Sequence, residues 1–270
     1  MSITASPLAA ELREDIQYGQ AAGVPLRLDA RIPEGRGPFP AAIIVHGGAW
    51  VAGDKRTTVQ PLFQPLADAK IATFSISYRL ANRRPDIAEL LTFATAIDDV
   101  RSAVAYVKQH AEEFRIDPSR IALIGESAGA QLASMAALRP GAGGEVKAVV
   151  AFYGPSDLVR LAQQSTWIPD NIRQSLKGSA FEQMLFAGLR ELSPVNWASH
   201  DSPPFLLIHG TADTLVPFDQ SKELCDKLHE VGATCELYPV NGAHHGIRWW
   251  ESDHRNAYKH EMVQWLQRML

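Results

Sequence analysis

Residues 121–132 read IALIGESAGAQL. A short apolar run, Ile121 to Ile124, meets Gly125-Glu126-Ser127-Ala128-Gly129, and the chain continues with Gln131, Leu132 and Met135 in a helical pattern. The stretch reads as a strand, a tight turn and a helix, with a serine at the bend. A serine there is held in a strained backbone conformation. Glycine on both sides relieves the crowding, and the hydroxyl stands above the carboxyl edge of a sheet. The helix N-terminus behind it favours developing negative charge. A random G-x-S-x-G arises in roughly one chain in ten of this length, so the motif gains its weight from the strand and helix around it. The competing reading makes the glycines ordinary turn formers and Ser127 a helix cap.

Outward from this turn, brief apolar runs recur at Ala41–Val45, Ala72–Tyr78, Val146–Tyr153, Phe205–Ile208 and Cys235–Tyr238. Bounded by Gly, Pro or polar residues, they read as buried strands. Asp15–Tyr18 and Leu26–Ile32, divided by Gly23 and Pro25, read as an edge hairpin. Helical patterns occupy Phe93–Phe114, Ala128–Leu138, Asp219–Val231 and about Asp253–Met269; in the first, Ala96, Val100, Ala103, Val104 and Val107 share a face. Strands alternating with helices predict an α/β chain with a mostly parallel sheet covered on both faces. Residues 155–203 are longer than an ordinary crossover and hold helical pieces at Ile172–Leu176 and Phe181–Leu192. They are expected to form a small lid inserted in one domain spanning residues 1–270.

The 270 residues are 46% apolar and 21% charged, with a formal charge of -4, which suits a folded globular protein. No dense Lys/Arg block suggests a nucleic-acid groove or an anionic membrane surface, so the expected partner is a small or neutral molecule. Cys225 and Cys235 are too few for a disulfide scaffold and lack zinc-site spacing, so they are expected to be free thiols. Met1–Leu12 lacks the pattern of a secretory signal, and no apolar run approaches the roughly 18 residues that span a bilayer. A cytoplasmic address is expected.

Two further motifs fall after predicted strands. His46-Gly47-Gly48-Ala49-Trp50 follows Ala41–Val45. Small residues let the backbone approach a tetrahedral intermediate, and the amides of Gly48, Ala49 and Ala128 are the candidate oxyanion donors. Trp50 adjoins them and is the candidate substrate-binding side chain; its indole can stack on an aromatic acyl group. As a competing reading, the loop is a Gly turn with Trp50 as a core anchor. His209-Gly210-Thr211-Ala212-Asp213 follows Phe205–Ile208, and Asn241-Gly242-Ala243-His244-His245-Gly246 follows Cys235–Tyr238. The order Ser, Asp, His then matches one known arrangement of a catalytic triad: Ser127 as nucleophile, His245 as base and Asp213 as the carboxylate that orients it. His244 competes with His245, which is favoured because it directly precedes Gly246. Asp157, also after a strand, competes with Asp213. Glu126 should point away from Ser127 into an internal ion pair. His46 and His209 read as hydrogen-bonded structural residues, and no cluster has metal-site spacing.

The turn at Gly125–Gly129, the loop His46–Trp50, the run His209–Pro217 and the ending Gly242–Gly246 together resemble the hormone-sensitive-lipase-like carboxylesterases. They are most similar to the small bacterial BD-FAE type, which includes feruloyl and acetyl-xylan esterases. The resemblance runs from about Asp15 to the C-terminus. It implies an α/β-hydrolase fold with eight strands, the second antiparallel, no cofactor, and hydrolysis of short-chain or aromatic acyl esters. Two residues depart from the pattern. Ala49 stands where many relatives carry a third Gly, which resembles the kynurenine formamidase loop and opens amide or formamide substrates. His244 stands where relatives often carry Gly. Little chain precedes the first strands, so the large N-terminal cap of many relatives is expected to be missing. Trp167, Ile168, Phe181, Met184, Leu185 and Phe186 of the insertion are candidates for lining the pocket, each with core packing as the alternative. Besides an esterase, an amidase or peptidase on the same triad and a catalytically silent binding protein remain open.

Overall fold

A computed structural model describes residues 10–81, 94–141, 145–164, 174, 177–252 and 255–270. Eight strands form one sheet: β1 (Glu11–Ala21), β2 (Val24–Ile32), β3 (Phe39–Val45), β4 (Ala72–Ile76), β5 (Ile116–Glu126), β6 (Ala148–Phe152), β7 (Phe205–Gly210) and β8 (Cys235–Val240). Their spatial order is β1-β2-β4-β3-β5-β6-β7-β8. β2 runs antiparallel to β1 and β4, and the remaining neighbours are parallel.

Both faces of the sheet are covered at its centre, so the inner strands β3, β4, β6 and β7 are buried at nearly every position, whereas edge strand β1 is largely polar. Ala41, Ile43 and Val45 of β3 face one layer with α2 (Thr95–Gln109), α3 (Ala128–Leu138) and α6 (Asp219–Glu230). Ala42 and Ile44 face the other, against α1 (Gln60–Asp68), α7 (Ile247–Ser252) and α8 (Ala257–Met269). Within the stretch expected to be an insertion lie α4 (Leu158–Gln164) and α5 (Ala180–Glu191). The side chains of Trp167 and Ile168, and the expected piece Ile172–Leu176 apart from Gln174, lie outside the described residues.

Several boundaries differ from the sequence expectations. α2 ends at Gln109 rather than Phe114. The turn that follows, closed by Ile116 N–H donating to Ala111 O, still buries Ala111 and Phe114, so the apolar pattern outlasts the helix. Phe93 lies outside the described residues. α1 has no counterpart among the sequence expectations; Pro65 inside it disfavours a helix locally, and burial of Val59, Leu62 and Leu66 overrides that penalty. Among the described residues, no helix is long and apolar enough to cross a membrane.

Cys225 and Cys235 are not free thiols: they form a disulfide joining α6 to the first residue of β8. Spacing alone hid this, because only the packing of the helix beside the strand brings the two Cα atoms to 5.5 Å. Closing a loop of this length is worth about 3 kcal/mol through the unfolded chain. Reduction, or Cys225→Ser with Cys235→Ser, is therefore expected to lower the urea-unfolding free energy by about that amount. Equal stability with and without reductant would show that the thiols are not joined.

Candidate active site

The sheet order changes direction at β3. The chain passes from β3 outward to β4, then returns to place β5 on the other side. A crevice opens at the carboxyl end of such a switch. Pairing of Val45 with Gly125, Glu126 with Phe152 and Phe152 with Ile208 aligns the strand ends there. The loops that leave these strands therefore share one rim.

Ser127 adopts φ 51° and ψ -121°, and its side chain makes no capping bond to α3. The turn is possible only with glycine at its flanks. A Cβ on Gly125 would lie 2.3 Å from Gly129 O, and one on Gly129 would lie 2.2 Å from Val45 O. The backbone is fixed from behind by Ser127 N–H donating to Phe152 O at 2.9 Å.

The Ser127 hydroxyl lies 2.9 Å from His245 Nε2, and His245 Nδ1 lies 2.7 Å from Asp213 Oδ2. Against a carboxylate, Nδ1 must carry the proton, which leaves Nε2 free to accept from the serine. Asp213 Oδ1 accepts from the Leu215 and Val216 amides, each at 2.9 Å. His209 Nε2 approaches Asp213 Oδ2 at 3.4 Å and donates to Val216 O at 2.9 Å, while its Nδ1 accepts from the Ser221 hydroxyl. Burial pushes the Asp213 carboxyl up, but the bonds from His209, His245 and the Val216 amide and the charge of His245 outweigh it and hold it well below the usual carboxylate range. Asp213 stays ionised at neutral and mildly acidic pH.

His245 faces Ser127 because the chain on either side is pinned. Trp250 Nε1 donates to His244 O, Ile247 N–H donates to the Tyr153 hydroxyl at 2.9 Å, and Gly246 turns with φ 107° between them. His244 is exposed. Asp157 lies elsewhere, accepting from Arg160 N at the start of α4. Among the described residues Glu126 makes no ion pair of the expected kind. Its partners are the Gly47 amide at 3.1 Å and the Tyr153 hydroxyl at 2.5 Å, because it faces the glycine loop and the end of β6 rather than a basic residue.

The loop after β3 bends through three consecutive left-handed residues, Gly48, Ala49 and Trp50, at φ 120°, 50° and 63°. The amides of Gly48, Ala49 and Ala128 find no protein acceptor among the described residues. Trp50 Nε1 donates to Gln131 Oε1 at 3.0 Å, and Gln131 Nε2 donates to Leu192 O at 2.7 Å. Farther along, buried Asp29 accepts from Arg56 at 2.6 Å and pairs with Lys55 at 3.2 Å. The sequence reading missed Gln131 and Asp29 as anchors of this loop, since neither is near it in the chain. His46 is buried behind it, stacked on Tyr78, and burial lowers its basicity.

Ala49, Trp50, Ser127 and Ala128 line one cleft of about 130 Å³ with Pro155, Leu161, Gln164 and Thr214 to Pro217. From the inserted stretch Pro155 and α4 contribute; the α5 residues Phe181, Met184, Leu185 and Phe186 are not among the described walls, and Met184 is exposed. Among the described residues, no group of three or more His, Cys, Asp or Glu side chains is placed to hold a metal ion.

A mostly parallel eight-stranded sheet, with a strained serine at a strand-to-helix turn and Asp and His loops on the same rim, defines the α/β-hydrolase fold. The chain belongs to the BD-FAE family, whose sequence model matches residues 28–228. LipM of Mycobacterium tuberculosis, a probable carboxylic ester hydrolase, is 35% identical over 214 residues, which are 75% of this chain and 48% of LipM. The chain spans about half the length of the curated relatives it matches. A truncated carbohydrate esterase from gut microbiota superposes with a TM-score of 0.77 at 26% identity, covering 98% of each chain. A thermophilic esterase of Thermogutta terrifontis shares the fold with a TM-score of 0.74 at 23% identity, covering 95% of this chain and 90% of that one.

Proposed function

We propose that this protein is a serine carboxylesterase acting on small esters of short acyl groups through an acyl-enzyme on Ser127. The observation that carries the reading is the unbroken row Ser127–His245–Asp213. The names borne by LipM and by the gut carbohydrate esterase support it. In this reading Ser127 Oγ attacks the ester carbonyl as its proton passes to His245 Nε2. Asp213 stabilises the imidazolium, which returns the proton to the departing alkoxide. Water then attacks the acyl-enzyme with His245 again as base. The amides of Gly48, Ala49 and Ala128 serve as the oxyanion donors, each worth about 2.7 to 4 kcal/mol in comparable enzymes. The row of three also argues against a silent binding protein.

Trp50, held by Gln131, forms one wall of the acyl site. A cavity of about 150 Å³ accepts benzene. A cleft of about 130 Å³ among the described residues suits acetyl to butyryl groups better than a feruloyl ring with its three-carbon link, which favours short acyl chains over aromatic ones. Forcing methylenes beyond the capacity of the cleft against its packed walls costs about 1 to 3 kcal/mol. With 4-nitrophenyl esters, kcat/KM is expected to peak between acetate and butyrate and to be about 10-fold lower for octanoate. Faster turnover of octanoyl or feruloyl esters would overturn the acyl assignment, and faster turnover of matched anilides would make it an amidase. The disulfide fits an oxidising compartment better than the cytoplasmic address expected from the sequence.

A further inference from the structure

We infer that Glu126 and Tyr153 form a buried brace that fixes the oxyanion loop and the histidine loop against Ser127, and that both are positioning residues for the reaction. The inference rests on the reading of Ser127, His245 and Asp213 as the catalytic triad.

Three loops meet in two side chains. Glu126 directly precedes Ser127, yet its carboxyl reaches the other way: Oε1 accepts from Gly47 N–H at 3.1 Å and Oε2 accepts from the Tyr153 hydroxyl at 2.5 Å. The Tyr153 oxygen in turn accepts from Ile247 N–H at 2.9 Å, two residues beyond His245. One carboxyl and one phenol thus join the serine turn, the glycine loop and the start of α7. Glu126 is 5% exposed and Tyr153 not at all, so water does not compete for these bonds.

The brace also sets orientation. With Gly47 N–H committed to Glu126 and Gly47 O accepting from His46 Nδ1 at 2.7 Å, the planar peptide between Gly47 and Gly48 has one orientation. The Gly48 amide follows from it. On the other side, the Tyr153 ring meets the His245 imidazole edge to face, with centroids 4.6 Å apart and planes at 62°. That contact restricts rotation of the imidazole away from Ser127.

Two costs indicate that the pair is kept for more than filling space. Both Glu126 oxygens act as acceptors, and among the described residues no cation pairs with this buried acid, a costly arrangement. Tyr153 has φ 39°, a left-handed conformation that is strained for a bulky residue and gathers at functional sites. Burial and then the neighbouring Glu126 push the Tyr153 phenol well up, so it remains a donor.

The test is kcat and KM for 4-nitrophenyl acetate in the full chain, below the unfolding temperature, for Tyr153→Phe, Glu126→Gln, Glu126→Ala and the Tyr153→Phe/Glu126→Gln pair. Displacing reacting groups by about 1 Å costs about 10²-fold. Tyr153→Phe is thus expected to lower kcat about 10- to 100-fold with KM within about twofold. Glu126→Gln, which keeps one acceptor, loses less than Glu126→Ala, and the double variant loses much less than the product of the single losses. Variants that lose thermal stability while kcat stays within about twofold, or losses that simply multiply, would overturn the brace. If Tyr153→Phe does not fold, the Gln and Ala replacements at 126 decide by the same criterion. A Ser127→Ala control that keeps full turnover would sink the triad instead, so the two failures are distinguishable.

Discussion

Replacing Ser127 with alanine is expected to lower kcat on 4-nitrophenyl acetate about 10⁶-fold, equivalent to about 8 kcal/mol of transition-state stabilisation. The serine hydroxyl lies within hydrogen-bond reach of His245 Nε2, at 2.9 Å. Its removal leaves a base with nothing to deprotonate and no covalent route. The amides of Gly48, Ala49 and Ala128, which have no protein acceptor among the described residues, remain, and a residual rate above that of water is expected from them. Alanine can keep the backbone of residue 127, whose nitrogen is held by Phe152 O, so thermal stability should be unchanged or slightly raised. Turnover within about tenfold of the parent would remove Ser127 from the mechanism.

Asp213→Asn is the next largest, with kcat expected to fall about 10⁴-fold and KM to change little. The Leu215 and Val216 amides both donate to Oδ1, so the asparagine oxygen stays with them and its NH2 group turns toward His245. His245 must then accept at Nδ1 and carry its proton on Nε2, the tautomer that cannot take a proton from serine. His209 makes the substitution worse. Its Nε2–H is directed at Val216 O and Asp213 Oδ2, and an amide hydrogen there replaces an acceptor with a donor. Retention of more than about a tenth of the activity would indicate that another group orients the histidine.

How far the sequence could be read follows from the range of each contact. The β3, β5, β7 and β8 runs and the α3 helix follow from apolar period and from Gly at fixed offsets, which depend on residues only a few positions apart. The Pro-containing α1 and the early end of α2 escaped because tertiary burial outweighed the local pattern there. In the candidate site, Ser127 is legible from its own turn, whereas Glu126 is not. Its neighbours in sequence say nothing of Gly47, 79 positions away, or of Tyr153, 27 positions away. Gln131 reads as one more helix residue until the indole of Trp50, 81 positions distant, is seen to bond it.

By itself the sequence determined the alternation of strands and helices, the strained serine turn, and the chain order in which serine, aspartate and histidine follow strand ends. These are local properties, fixed by side-chain volume, backbone freedom and apolar period. The tertiary structure alone decided which of two adjacent histidines turns inward, that two cysteines are joined, and what holds the glycine loop. Those outcomes depend on strand register and on contacts such as that between His245 and Ser127, 118 positions apart, which no short-range pattern encodes.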